Sequence, residues 1–183
     1  MEKINGSPGM KKVVVIGPES TGKSTLSTLL AKYYNTEWVP EYARDYIAHL
    51  DRTYEEKDLL EIAKGQIAME DQLSPKANKI LICDTNLITI KVWSEHKFGA
   101  CYPQILEWIK GRHYDLYLLS NIEVPWQEDP QREHPQLREF FMGIYQQELM
   151  ATGVPWVELK GEDFFTRKGT AVKAIDEMLK ASK

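Results

Sequence analysis

The stretch Val13-Val14-Val15-Ile16-Gly17-Pro18-Glu19-Ser20-Thr21-Gly22-Lys23-Ser24 decides how this chain is read. Four β-branched residues in a row suit a strand buried on both faces, as in a parallel sheet. The residues from Gly17 to Ser24 fit G-x-x-x-x-G-K-[ST] in full, and Lys23 to Tyr34 reads as a helix. A buried strand before the motif and a helix after it are the context in which it binds phosphate. The glycines let backbone N–H groups wrap an anion, and the helix N-terminus adds positive dipole. Gly17, Glu19, Ser20, Thr21, Gly22, Lys23, Ser24 and Thr25 are therefore the candidate ATP-binding residues. Lys23 is expected to reach the β- and γ-phosphates, and the Ser24 hydroxyl to ligate Mg²⁺.

Outward from this loop, the same alternation repeats. Glu37-Trp38-Val39, Ile80-Leu81-Ile82-Cys83, Leu116-Tyr117-Leu118-Leu119 and Trp156-Val157-Glu158-Leu159 read as four further short strands. Helical patterns separate them: Tyr42 to Leu50, Thr53 to Leu73, Leu87 to His96, Pro103 to Lys110, Gln136 to Met150 and Thr170 to Leu179. Thr53-x-x-Glu56 has the form of a capping box for the second of these, whose apolar stripe is Leu59, Ile62, Ala63 and Ile67. Strands alternating with helices predict an α/β sandwich around a five-stranded parallel sheet. Connections between its strands are expected to be right-handed.

The chain has 183 residues, 43% of them hydrophobic, and a formal net charge of −4. That size predicts one domain, over residues 12–183, after a flexible leader at 1–11 that includes Asn5-Gly6-Ser7-Pro8-Gly9. The mildly acidic balance argues against non-specific nucleic-acid binding. No apolar run reaches the ~18 residues of a membrane span, and no apolar segment near Met1 reads as a secretory signal. Cys83 and Cys101 lack zinc-type spacing to other ligands, so reduced thiols of a cytoplasmic protein are expected.

Ligands of open α/β sheets bind at the carboxyl ends of the strands. Asp84 stands at one such end, where a carboxylate holds Mg²⁺ directly or through water; capping the next helix is its competing role. Glu41 stands at another, able to orient or deprotonate an acceptor hydroxyl, with Asp45 as the rival carboxylate. Arg44 can pair with an acid or hold phosphate. The proline-rich segment Pro125 to Pro135 reads as a lid, with Arg132 and Arg138 able to neutralise a transferring phosphoryl group. No Asn-Lys-x-Asp guanine reader is present, and motor or AAA-type ATPases are usually longer, with a sensor arginine. A small-molecule kinase is the expectation, with a kinase for another nucleoside or alcohol, or a regulatory ATP-binding module, as alternatives.

With these residues in view, the chain resembles the ribosylnicotinamide kinase domain of the NadR family, a P-loop AAA-type ATPase/kinase domain that would here stand alone. The likeness runs from about Val13 to Met178. It rests on Gly17 to Thr25, on Glu41-Tyr42-x-Arg44-x-Tyr46, and on Tyr54-x-x-x-Asp58 with Ile62-Ala63-x-Gly65-Gln66. It includes Asp84-Thr85 and Pro125-Trp126 with the arginine-bearing lid. The resemblance implies a P-loop, nucleoside-kinase-like sandwich with strand order 2-3-1-4-5. It implies ATP- and Mg²⁺-dependent phosphorylation of the 5′-hydroxyl of nicotinamide riboside, giving nicotinamide mononucleotide. Tyr42, Tyr46, Trp93 and Trp126 are the aromatic residues expected to hold the pyridinium ring, and Gln66 is able either to meet its carboxamide or to make an ordinary interhelical hydrogen bond. The adenylyltransferase and DNA-binding parts of NadR proteins are not implied, since nothing of that length precedes Val13. Some relatives carry an aromatic residue before the Glu-Tyr pair; this sequence has Pro40.

Overall fold

The computed structural model describes residues 9–181. Most of the expected leader lies outside the described residues, but its last residue, Lys11, already belongs to the first strand. Five strands, β1 (Lys11–Ile16), β2 (Trp38–Val39), β3 (Ile80–Asp84), β4 (Leu116–Ser120) and β5 (Trp156–Leu159), form one sheet in the order β2-β3-β1-β4-β5. Every neighbouring pair is parallel. The helices are α1 (Lys23–Tyr34), α2 (Tyr42–Ala48), α3 (Glu56–Leu73), α4 (Leu87–Phe98), α5 (Pro103–Gly111), α6 (Arg138–Thr152) and α7 (Phe164–Ala181).

β1 is the middle strand, and period-2 alternation divides its residues between two cores. Val13 and Val15 face α1 and α7, meeting Leu26, Leu30, Ala171 and Ile175. Val14 and Ile16 face α4 and α6, meeting Ile88, Val92, Phe141 and Tyr145. A third cluster joins α2, α3, α4 and α5 around Ala43, Leu59, Ile62 and Ile105. Val13 to Ile16 are all fully buried, worth about 1.5–3 kcal/mol for each side chain, which is why a continuous apolar run reads as a two-sided strand.

The helix starts depart from expectation for local reasons. The cap of α3 is Glu55, not Thr53: its N–H donates to Asp58 Oδ2 at 2.7 Å. Asp58 also accepts from both Arg52 Nη atoms and from the Tyr46 hydroxyl, so the box is part of a polar cluster fixing α2 to α3. α7 begins at Phe164 rather than Thr170, because Asp163 Oδ1 accepts the Thr166 N–H at 2.8 Å and caps the helix further upstream. Ahead of α6, Pro135–Leu137 forms a separate 3-10 turn, so α6 starts at Arg138 rather than Gln136.

Glu70 ties α3 to the sheet. It is 1% exposed, yet its Oε1 accepts from Lys12 Nζ at 2.7 Å and Arg112 Nη2 at 2.8 Å, and its Oε2 from the Tyr114 hydroxyl at 2.9 Å. A buried carboxylate with three donors is stable, but one whose partners are removed, or the reverse, is not. Glu70→Ala is therefore expected to cost about 3–5 kcal/mol, since Lys12 and Arg112 lose their shared counter-charge. Urea unfolding measures this directly, and a loss under about 1 kcal/mol would show that the cluster is not a structural anchor.

Candidate active site

The carboxyl ends of β1, β3 and β4 meet at the phosphate loop. Gly17 has φ of +140°, and a Cβ there would lie 2.7 Å from the Ser120 carbonyl oxygen of β4. Only glycine lets the loop leave β1 so close to its neighbour. Gly22 opens α1 at φ +75°. Between them Thr21 Oγ1 donates to Pro18 O at 2.9 Å, closing the turn from inside.

This loop forms the floor of a cleft of about 510 Å³. Glu19, Ser20, Thr21, Gly22, Lys23, Ser24 and Thr25 line it, and so do Glu41 and Arg132. Asp84 is 1% exposed, and its Oδ1 has no hydrogen-bond partner among the described residues. Burial raises its pKa, while the Ser24 hydroxyl and the Lys23 ammonium hold it down. The competing role of Asp84 as a helix cap falls to Asn86, whose side chain accepts the Ile88 N–H at 3.0 Å. Between them Thr85, a β-branched residue, takes φ of +67°. Such a backbone is costly and is characteristic of functional turns.

An unpaired, buried carboxylate oxygen beside a serine hydroxyl is a hard-oxygen donor set. It fits a small divalent cation such as Mg²⁺ bound through few protein ligands. The residues expected to hold Mg²⁺, Ser24 and Asp84, are thus brought together.

Lys23 is half-buried, with Nζ donating to Pro18 O at 2.7 Å. Burial lowers its pKa, opposed first by Glu41 and then by Asp84. Glu41 sits in the turn entering α2, and burial raises its pKa to about 7, against the pull of Lys23 and with a further push from Asp84. Its rival, Asp45, is exposed and does not line the cleft. Arg44 pairs with neither acid; it forms an ion pair with Asp129 of the lid.

The lid rests on the loop. Ser20 Oγ accepts the Gln127 N–H at 2.8 Å and Arg132 Nη1 at 3.4 Å. Glu19 Oε2 accepts the Glu133 and His134 N–H groups at 3.2 and 3.3 Å. Arg138 reaches from the start of α6 to Ser20 O at 3.2 Å and Val124 O at 2.9 Å, behind the cleft wall. Burial, with Arg132 nearby, lowers the Arg138 pKa.

The expected aromatic set is only partly present. Trp93 lines the cleft, together with Tyr54 and with His96 and His134, to which the sequence reading assigned no role in catalysis. The two imidazoles stack edge to face at 5.0 Å. Tyr42 is turned against α3, where a Cβ on Gly65 would lie 2.1 Å from its ring, and the Tyr46 hydroxyl is committed to Asp58. Trp126 does not line the cleft, and its indole N–H donates to Glu128. Gln66 does not enter the cleft either. Its Oε1 accepts the Tyr42 N–H at 2.9 Å and its Nε2 donates to Pro40 O at 3.3 Å, so it grips the backbone on both sides of Glu41. Arg167 was missed altogether: it lines the cleft from α7, 2% exposed.

With this geometry in place, comparison with known proteins gives the family. A family model described as an AAA domain matches residues 12–167, and the chain belongs to that family. It does so despite the short length that set a long AAA-type ATPase aside. The trifunctional NAD biosynthesis/regulator protein NadR of Escherichia coli (strain K12) is 29% identical over 176 residues, covering 93% of this chain and 43% of that protein. The chain thus spans less than half the length of the curated NadR proteins it matches. A crystal structure of NadR protein in complex with NR superposes with a TM-score of 0.80 at 26% identity, over 93% of this chain and 50% of that one. Thymidylate kinase from Ehrlichia chaffeensis shares the fold, with a TM-score of 0.65 at 15% identity over 92% of this chain and all of that one. The expected α/β P-loop architecture and its strand order are therefore present, with nucleoside-kinase-like neighbours.

The grip of Gln66 yields a test. Gln66→Leu frees both ends of the Glu41 peptide and is expected to lower kcat about 10- to 100-fold, with the KM for ATP little changed. Steady-state kinetics at saturating ATP measures it. An unchanged kcat in a folded variant would mean that Glu41 needs no such support.

Proposed function

We propose that residues 12–183 act as one cytoplasmic kinase domain that transfers the γ-phosphoryl group of ATP to the 5′-hydroxyl of nicotinamide riboside. The observation that carries this reading is that the phosphate loop, the desolvated Glu41 and the arginine-bearing lid line one cleft, with the desolvated Asp84 buried beside Ser24 of the loop. The likeness to NadR, including the complex with NR, supports the choice of acceptor. A related NadR structure in complex with NAD and AMP-PNP supports ATP as donor.

Lys23 and the loop N–H groups hold the β- and γ-phosphates. Ser24 and Asp84 would hold Mg²⁺, which would supply positive charge against the phosphates. Glu41 accepts the proton of the acceptor hydroxyl as its oxygen bonds to the γ-phosphorus and the bond to the ADP oxygen breaks. A carboxyl with a pKa near 7 is poised for that exchange. Arg132, hydrogen-bonded to Ser20 of the loop, stabilises charge on the transferring group, and Arg138, held by Ser20 O and Val124 O behind the cleft wall, adds positive field.

On the acceptor side, the Tyr54 face is of the kind that attracts a cation, since the Lys97 ammonium lies 3.7 Å above its centre. Lys97 also pairs with Glu133 of the lid at 3.6 Å, so it has a second resting place when a pyridinium takes the ring face. Trp93 offers a further aromatic wall.

An acceptor screen tests the reading. Nicotinamide riboside is expected to have a kcat/KM at least about tenfold above uridine, cytidine, thymidine or deoxyguanosine, the ratio that ~1.4 kcal/mol supplies. Its rate is expected to rise as the pH passes through about 7, where Glu41 loses its proton, and Glu41→Gln to remove that acid limb along with about 10²–10⁴-fold of kcat. Better turnover of another nucleoside moves the acceptor. ADP release with none of them leaves a nucleotide-binding module.

A further inference from the structure

Arg167 is among the largest side chains that are fully buried. Its Nε, Nη1 and Nη2 all lack a hydrogen-bond partner among the described residues. The side chain runs along Gly161, whose Cβ would lie 4.0 Å from Cγ, and ends beside the phosphate loop. A Cβ on Gly22 would lie 3.9 Å from its Nη1 and 3.8 Å from the Phe164 ring. Gly22 is the residue that leads into Lys23 and the α1 N-terminus, where the backbone donors of the loop converge.

Burial acts on it more strongly than any neighbouring charge. Burial lowers the Arg167 pKa, and the Arg138 guanidinium lowers it further. Glu123 opposes them, but that carboxylate is exposed and accepts the Gly161 N–H. Arg138 is itself pushed down by Arg132. Three guanidiniums therefore gather near the loop, and the acid that acts on Arg167, Glu123, is solvent-exposed. An unpaired buried guanidinium is costly unless something returns both charge and acceptors. A nucleobase returns acceptors but no charge. A phosphate returns both, and matches the planar fork bidentately.

We propose that Arg167 is a phosphate-binding residue for the donor nucleotide, kept without a protein partner so that the phosphate chain on the loop becomes its partner. This rests on the nucleotide-binding half of the reading above and is independent of the acceptor.

The test is calorimetric titration of the full chain, wild type and Arg167→Met, with ATP, ADP, tripolyphosphate and adenosine. Arg167→Met is expected to weaken ATP, ADP and tripolyphosphate at least tenfold and to leave adenosine unchanged. The empty variant is expected to melt no lower than wild type, because an unpaired buried charge has been removed, and to gain less in Tm from ATP. Arg167→Lys keeps the charge but loses the fork. It is expected to bind tripolyphosphate several-fold more weakly than wild type, which keeps the proposal testable if the methionine variant fails to fold. Unchanged ATP affinity would overturn the proposal. So would a loss shared by ATP and adenosine but not tripolyphosphate, which would mark a base contact. A large drop in the Tm of the empty protein with normal affinity would mark a structural role. A wild-type chain that bound neither ATP nor ADP would overturn the nucleotide reading itself, whereas binding that ignores Arg167 overturns this proposal alone.

Discussion

The parallel pairing of β1 between β3 and β4 is the constraint from which the rest follows. Its register sets Val15 against Asp84 on one side and against Leu118 on the other. The chain leaving β1 therefore emerges between Asp84 and the Ser120 carbonyl, with no room for a side chain at Gly17. Parallel strands put all their carboxyl ends on one edge, so a buried acid, a phosphate loop and the root of the lid are brought together by topology alone. Glu41 enters from β2 at the sheet edge and needs more support. That support comes from Gln66, one helical turn before Glu70, the residue that anchors α3 to Lys12 of β1. Sheet, anchor helix and candidate base are joined in one line of contacts.

The charges of the cleft are not balanced within the chain. Glu41 and Asp84 are held above their ordinary pKa values by burial, and Lys23, Arg138 and Arg167 below theirs. Each shift records a charge that the fold has removed from water without full compensation. Such groups cluster where a ligand completes the set, because fixed charges aimed at an absent partner need no rearrangement when it arrives. The lid belongs to the same economy of contacts. Ser20 and Glu19 accept lid donors, so the loop that binds phosphate also fastens the segment that covers it.

Much of this was legible in the residues. The Val13 to Ser24 run carries strand, loop and helix signals in register, and α1 spans Lys23–Tyr34, as its residues predict. Asp84 and Glu41 follow from the rule that chemistry sits at strand ends. What the sequence hid was orientation. Tyr42 and Tyr46 lie beside Glu41 in the chain, but α2 turns them toward α3, where Gly65 and Asp58 receive them. Tyr54 and His96, on other elements, supply the cleft wall instead. The start of α7 was hidden because Gly169 interrupts the pattern and the capping residue, Asp163, stands ahead of two phenylalanines.

Three polar residues interrupt apolar stripes, and their different fates show what such an interruption means. Gln66 and Glu70 continue the Leu59, Ile62 and Ala63 face of α3. Arg167 lies at four-residue spacing before Ala171 and Ile175 on the buried face of α7. By periodicity alone the three look alike. The distinction is whether the fold meets their hydrogen-bonding capacity. Glu70 has three donors on its two oxygens, which makes it an anchor, and Gln66 spends both ends on the backbone, which makes it a support for Glu41. Arg167 has burial equal to theirs and no partner among the described residues. A buried polar group that is satisfied stabilises the fold, and one that is not raises its energy until a partner comes. Selection for stability alone would favour an apolar side chain at 167, so the cost of the guanidinium there points to a ligand rather than to the core.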